Sequence, residues 1–188
     1  MKIKYYLCPI LIIISFFLFI SCSKDNNKYN FHEKLPKEFI GRIESKIGKD
    51  GINEIDKLAL KYNFSSQDLF KDFNYFKEDI DYKIELFASF LCSVGNEISI
   101  HGHTRDAEIA FKTSLKLKPK NNMAHSSLAF LYMGMGKTEE AKKEAKKALI
   151  LIRELKEKVK KTPIPEEIMP ESTLRRLETE LVKILNIP

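Results

Sequence analysis

Four histidines, three cysteines and a rich supply of lysines carry most of the reactive potential of this 188-residue chain. His101-Gly102-His103 sets two imidazoles side by side, which is how a metal site can begin. A closed zinc site needs about four ligands, and no thiol pair or further histidine follows at a useful spacing. His103 with Asp106 offers a base and an orienting acid, but no nucleophile stands where a hydrolytic triad would need one. Cys92 lies between Leu91 and Val94 on an apolar helical face, the setting of a buried, inert thiol. The chain has no glycine loop to cradle phosphate and no paired-carboxylate motif. The sequence therefore predicts no catalysis, no metal and no cofactor.

The N-terminus is an address. Lys2 and Lys4 precede an apolar run from Leu7 to Ile20. As a helix those residues would reach roughly 21 Å, short of the ~30 Å hydrocarbon core of a bilayer. A basic start, a short apolar run and a small residue at its end read as an export signal. The run ends in Leu18-Phe19-Ile20-Ser21-Cys22, which resembles the lipobox of bacterial lipoproteins. That resemblance implies diacylglyceryl transfer to the Cys22 sulfur, cleavage after Ser21 and N-acylation of Cys22 with chains such as palmitate. Residues 1–21 would then be the signal peptide and 22–35 a flexible tether, since Ser23 to Asn30 is polar and aperiodic. Cys8 would leave with the signal, and Cys92 would be the one remaining thiol. Anchorage in the bacterial cell membrane or outer membrane, on the exported side, follows.

The full chain holds 32 basic and 26 acidic residues; without Lys2 and Lys4 its net charge is +4. That excess is mild. Without aromatic-basic interleaving or a known motif, it predicts no nucleic-acid partner.

The body reads as all-α. Phe39, Ile40, Ile43 and Ile47 share one helical face, ended by Gly48. Ile52, Ile55, Leu58, Ala59 and Tyr62 form the next. Ser65-Ser66-Gln67-Asp68 would cap a helix through Phe76, and Asp79 or Asp81 one running to about Ile100.

Residues 88–155 contain an internal repeat. With Ala107 and Ala141 in register, 34 residues apart, His101 to Ala107 lies over Met135 to Ala141 and Gly102 over Gly136. Leu91 falls on His125, Val94 on Leu128, Gly95 on Ala129 and Ile98 on Tyr132. This period and pattern resemble the tetratricopeptide repeat, a helix–turn–helix unit. The resemblance implies one copy over 88–121 and a second over 122–155. Gly95 and Ala129 would then sit where paired helices approach closely. Arg153 stands where proline would end the second copy, so its last helix should extend to about Lys161. Two copies are too few to stand alone, because about three are needed. Residues 36–87 and a C-terminal helix within 166–188 should therefore cap a two-repeat, tetratricopeptide-like hairpin solenoid at both ends. Leu174, Leu177, Leu181 and Ile184 give that last helix an apolar row to lay antiparallel along the row Ala141 to Val159.

Such repeats bind an extended peptide or a helix along the face made by their first helices. The register puts Ser89, Cys92, Asn96 and Ser99 there in copy one, and Met123, Ser126, Phe130 and Met133 in copy two. These residues do not form the family's carboxylate clamp. Asn96, Met123, Ser126, Phe130 and Met133 are the candidate partner-binding residues, and the methionine–phenylalanine stripe favours an apolar ligand. The expected function is an adaptor or scaffold holding another envelope protein or peptide. The alternatives are a surface-displayed lipoprotein binding external or host molecules, and an accessory subunit of an outer-membrane assembly complex.

Overall fold

The computed structural model describes residue 32 and residues 35–64, 79–161 and 171–187. The signal peptide, Cys22, most of the tether, the helix expected through 65–76 and the break expected at 162–165 lie outside the described residues. Among the described residues there are six helices and no strand: α1 (Lys37–Tyr62), α2 (Ile80–Ile100), α3 (Thr104–Leu117), α4 (Asn122–Gly134), α5 (Thr138–Lys161) and α6 (Glu171–Leu185). The fold is all-α. The chain divides into two compact units between Pro119 and Lys120. Each unit contains one helical hairpin and one further helix packed on it.

In the first unit, α1 carries two apolar stripes. Phe39, Ile43 and Ile47 are buried before Gly48, and Ile52, Ile55, Leu58 and Ala59 after it. Gly48 sits at φ 73° and ψ 171°, outside the helical region, so the two stripes belong to two rods joined at a kink. Asn63 closes α1 in the left-handed region at φ 52°, its N–H returning to the Ala59 carbonyl. The start of α2 is capped by Asp79, whose carboxylate accepts from the Tyr82 N–H at 3.0 Å. Aromatic rings join α1 to α2. Phe87 stands edge-on to Phe39 at 5.8 Å and stacks on Phe90 at 6.4 Å, and Phe64 meets Phe90 at 5.6 Å. Such pairs add about 1 kcal/mol each beyond their buried area.

The α2–α3 hairpin closes through a close approach. A Cβ added at Gly95 would lie 2.6 Å from the Phe111 ring and 3.2 Å from the Ala110 methyl. The missing side chain at Gly95 is thus the space Phe111 fills. Ser114 ties the same two helices by donating its hydroxyl to the Ala88 carbonyl at 2.6 Å.

In the second unit, α4 and α5 pack through small residues. Ala124, Ala129, Ala141, Ala145 and Ala148 are all fully buried. Helix α6 then covers α5 with Leu174, Leu181 and Ile184. It runs antiparallel: Glu171 at its start feels the charge of Lys160, while Glu178, two turns on, pairs with Lys156 at 2.8 Å and Arg153 at 3.3 Å. Surface ion pairs of this kind, with solvent still at both partners, contribute about 1 kcal/mol or less each. The three buried aliphatics contribute roughly 1.5–3 kcal/mol each and hold the helix down.

The two hairpins share four backbone hydrogen bonds at their turns. His103 N–H bonds the Ile98 carbonyl at 3.2 Å, and 34 residues later Lys137 N–H bonds Tyr132 at 2.9 Å. Gly102 N–H reaches Ser99 at 2.9 Å, and Gly136 N–H reaches Met133 at 3.0 Å. His101 bonds Glu97 as Met135 bonds Leu131, and Ala107 bonds His103 as Ala141 bonds Lys137. Gly102 and Gly136 take φ 82° and φ 72°, values that L side chains rarely adopt.

Candidate protein-binding surface

Helix α4 presents the strongest candidate surface in its unit. Asn121 caps it, accepting from the Ala124 N–H at 3.3 Å. One face, with Ala124, Leu128, Ala129, Leu131 and Tyr132, is buried. Met123 and Phe130, seven residues apart and so two turns along the same side, remain 45% and 41% exposed. No residue of Asn122–Gly134 is acidic, and its one basic side chain, His125, is buried. In a chain that is 31% charged, an uncharged helix with two large apolar side chains in solvent stands apart.

Not all residues assigned to this face by the repeat register reach it. Met133 is partly exposed, beside Phe130. Ser126 is buried at 2% exposure and donates its hydroxyl to the Asn122 carbonyl at 2.8 Å. It satisfies the helix's own backbone and offers a partner nothing. Asn96 belongs to α2 of the other unit, where it is half-buried. On that helix Cys92 is buried, and Ser89 donates to the Glu85 carbonyl at 3.0 Å.

Behind the stripe lies a polar pair that the periodicity of the sequence does not announce. His125 Nδ1 and Glu144 Oε2 are 2.5 Å apart, with side chains only 8% and 12% exposed. A carboxylate accepts and cannot donate, so Nδ1 carries the proton. Lys147 donates to the other carboxylate oxygen at 2.8 Å. Burial alone would raise the Glu144 pKa, but the bonds and charges of His125 and Lys147 outweigh it and bring it down to about 2. In the first hairpin the equivalent positions are Leu91 and Ala110, both buried completely. The 34-residue alignment sets His125 on Leu91 and Glu144 on Ala110, so its one signal is that two apolar positions of the first copy turn polar in the second.

A second cluster ties α1 to the hairpin of its unit. Asp106, in the first turn of α3, accepts from Lys61 Nζ and from the Tyr62 hydroxyl, each at 2.6 Å. The bond from Lys61 and then that from Tyr62 hold the Asp106 carboxyl below the usual range, against a smaller desolvation. His103 leans its ring on Tyr62 at 5.7 Å, and His101 faces Glu97 at 3.1 Å. The two turn histidines are thus engaged with helix ends. Among the described residues no three His, Cys, Asp or Glu side chains are placed to hold a metal ion. Nor is any described helix long and apolar enough to cross a membrane.

What the α4 face offers is apolar contact. Met123 and Phe130 offer apolar area on a rigid helix whose inner face is pinned by alanines and by the His125–Glu144 bond. Comparison with protein-family profiles, with curated proteins and with solved structures returned no match to this chain.

Proposed function

We propose that this chain is a membrane-tethered lipoprotein whose two hairpins form a tetratricopeptide-like unit, and that it acts as an adaptor holding another envelope protein or peptide. It performs no reaction of its own. The recurrence of four turn hydrogen bonds at a 34-residue offset is the observation that carries the repeat reading. Gly95, whose missing side chain leaves the space that Phe111 fills, and the fully buried Ala129 support it, since both are small where helix pairs close. The sequence Ile20-Ser21-Cys22 after a short apolar run supports the lipid tether.

Binding falls to Met123 and Phe130, with Met133 at their side. Covering what remains exposed of each of the two larger contacts would contribute roughly 2 kcal/mol. Replacing Phe130 by an acid removes that gain and places a charge in the contact, so affinity should fall by at least about 30-fold. The experiment is purification of the tethered protein after crosslinking in cells. One specific envelope partner should be recovered with the natural chain and lost with Phe130→Asp. Unchanged recovery with that variant would remove α4 from the binding surface. Mass analysis of the N-terminal peptide tests the tether separately: acylated Cys22 supports it, and an unmodified thiol refutes it.

A further inference from the structure

The charge of the second unit is concentrated on one helix. Helix α4 has no acid and only a buried histidine, and α6 balances Arg175, Arg176 and Lys183 against Glu171, Glu178 and Glu180. Helix α5 carries nine lysines and arginines against five glutamates. Its apolar row, Ala141, Ala145, Ala148, Leu149 and Ile152, is buried. The opposite side follows the same three-and-four spacing through Lys143, Lys146, Ile150, Glu154 and Lys158, all exposed. Lys143, Lys146 and Lys158 pair with no carboxylate among the described residues; of the exposed acids on this side, Glu139 is paired with Lys142 at 3.4 Å and Glu157 with Lys160 at 2.6 Å, while Glu140 and Glu154 stand among the lysines. In the middle of this cationic row Ile150 is 50% exposed, one wall of a shallow open depression shared with Arg153, Glu154, Glu157 and Lys158. Lysines flanking an exposed aliphatic side chain are what an interfacial helix offers a lipid surface: ammonium groups for headgroups, a branched apolar group for the boundary below.

We infer that the outer face of α5 docks on the surface of an anionic phospholipid membrane, through Lys143, Lys146, Lys158 and Ile150. This rests on the tethered reading, because three cations alone bind weakly. Each gains about fivefold near an anionic leaflet, and Glu140 and Glu154 offset part of that gain, so the preference over a neutral leaflet lies between about fivefold and 100-fold. A free protein would come off readily. A chain already held at the bilayer meets the surface at high effective concentration, and the same preference then fixes its orientation. Helix α4 packs on the other side of α5, so this docking turns Met123 and Phe130 away from lipid and toward a partner.

The test uses the full chain on vesicles, with a spin label on Ile150→Cys in a Cys92→Ser background, and in a second sample on Met123→Cys. On vesicles containing phosphatidylglycerol at low salt, the label at 150 should lose several-fold in collisions with a water-soluble nickel chelate. That loss should disappear on phosphatidylcholine vesicles, at about 0.5 M salt, where the screening length is roughly 4 Å, and in the Lys143→Glu/Lys146→Glu/Lys158→Glu variant. The label at 123 should stay accessible throughout. Equal accessibility on both lipids overturns the proposal, as does protection that survives salt or charge reversal, or protection at 123 instead of 150. Mass analysis of Cys22 on the same sample separates the two failures. An unmodified Cys22 refutes the lipoprotein reading; α5 is then read in the Cys8→Ser/Cys22→Ser/Cys92→Ser chain, held by its own apolar leader, where the introduced cysteine is the one thiol.

Discussion

Exchanging the His125–Glu144 pair for the residues of the first hairpin probes how the second hairpin is held. In the first copy Leu91 and Ala110 occupy these places without polar atoms. Removing one partner of a buried pair typically costs 3–5 kcal/mol, because a charge is left without compensation. Glu144 keeps Lys147 at 2.8 Å and some exposure, so His125→Leu should cost about 2–3 kcal/mol. Glu144→Ala should cost less, about 1–2 kcal/mol, since it leaves one buried imidazole N–H without its acceptor rather than a buried carboxylate without its partner. The double variant His125→Leu/Glu144→Ala should return to within about 1 kcal/mol of the natural chain, because both desolvation penalties vanish together. Hydrogen exchange of α4 amides in the full chain reads this directly: about 2 kcal/mol is a 30-fold faster opening. Additive losses in the double variant would refute the claim that the two side chains act as one unit.

The pair also sets a pH dependence. The Glu144 carboxyl sits at about 2 in the fold against an ordinary value of 4.5. A depressed folded value means its stabilisation is fully present above pH 4.5 and is lost as pH falls toward 2. The shift bounds that contribution at about 3 kcal/mol, and residual solvent access brings it nearer 2. The urea midpoint should therefore fall across this window by more in the natural chain than in Glu144→Ala. Parallel curves would contradict the assignment.

Four further outcomes follow from the packing. Gly95→Val drives a side chain into the Phe111 ring, 2.6 Å from its Cβ, and should cost more than about 3 kcal/mol in thermal unfolding. Gly95→Ala/Phe111→Ala, the combination found at Ala129 and Ala145, should be less damaging than Phe111→Ala alone, because the added methyl refills part of the cavity. Gly102→Ala and Gly136→Ala should each cost about 1 kcal/mol and by similar amounts, since both hold the same positive φ in the same turn. Asp106→Ala removes the acceptor shared by Lys61 and Tyr62, so amide exchange over Ile55–Ala59 should accelerate while that of α2 stays unchanged.

The helices were legible where local chemistry punctuates the chain. Gly48 interrupts α1 where its apolar stripe changes face, Asp79 caps α2, and Gly102 and Gly136 mark two equal turns. Each of these signals acts within a few residues, which is why spacing alone reveals it. The candidate surface was legible only in part. Met123 and Phe130 are exposed, as the register of the repeat suggested, but Ser126 turns its hydroxyl back to its own helix. A serine's direction depends on whether the preceding carbonyl is within reach, and periodicity carries no information about that. The buried ion pair was hidden for another reason. Glu144 looked like one more charge on a lysine-rich helix, and nothing local shows that His125, nineteen residues earlier, meets it across the hairpin. The cluster at Asp106 joins residues forty-four and forty-five positions apart and is equally invisible to local reading.

The most direct test of the adaptor account is photocrosslinking from position 130 in living cells. With a photoreactive phenylalanine analogue there, one envelope protein should be captured, and Met123→Asp in the same chain should abolish the adduct. Capture that ignores Met123→Asp, or the same adduct formed from position 146 on the basic side of α5, would contradict it.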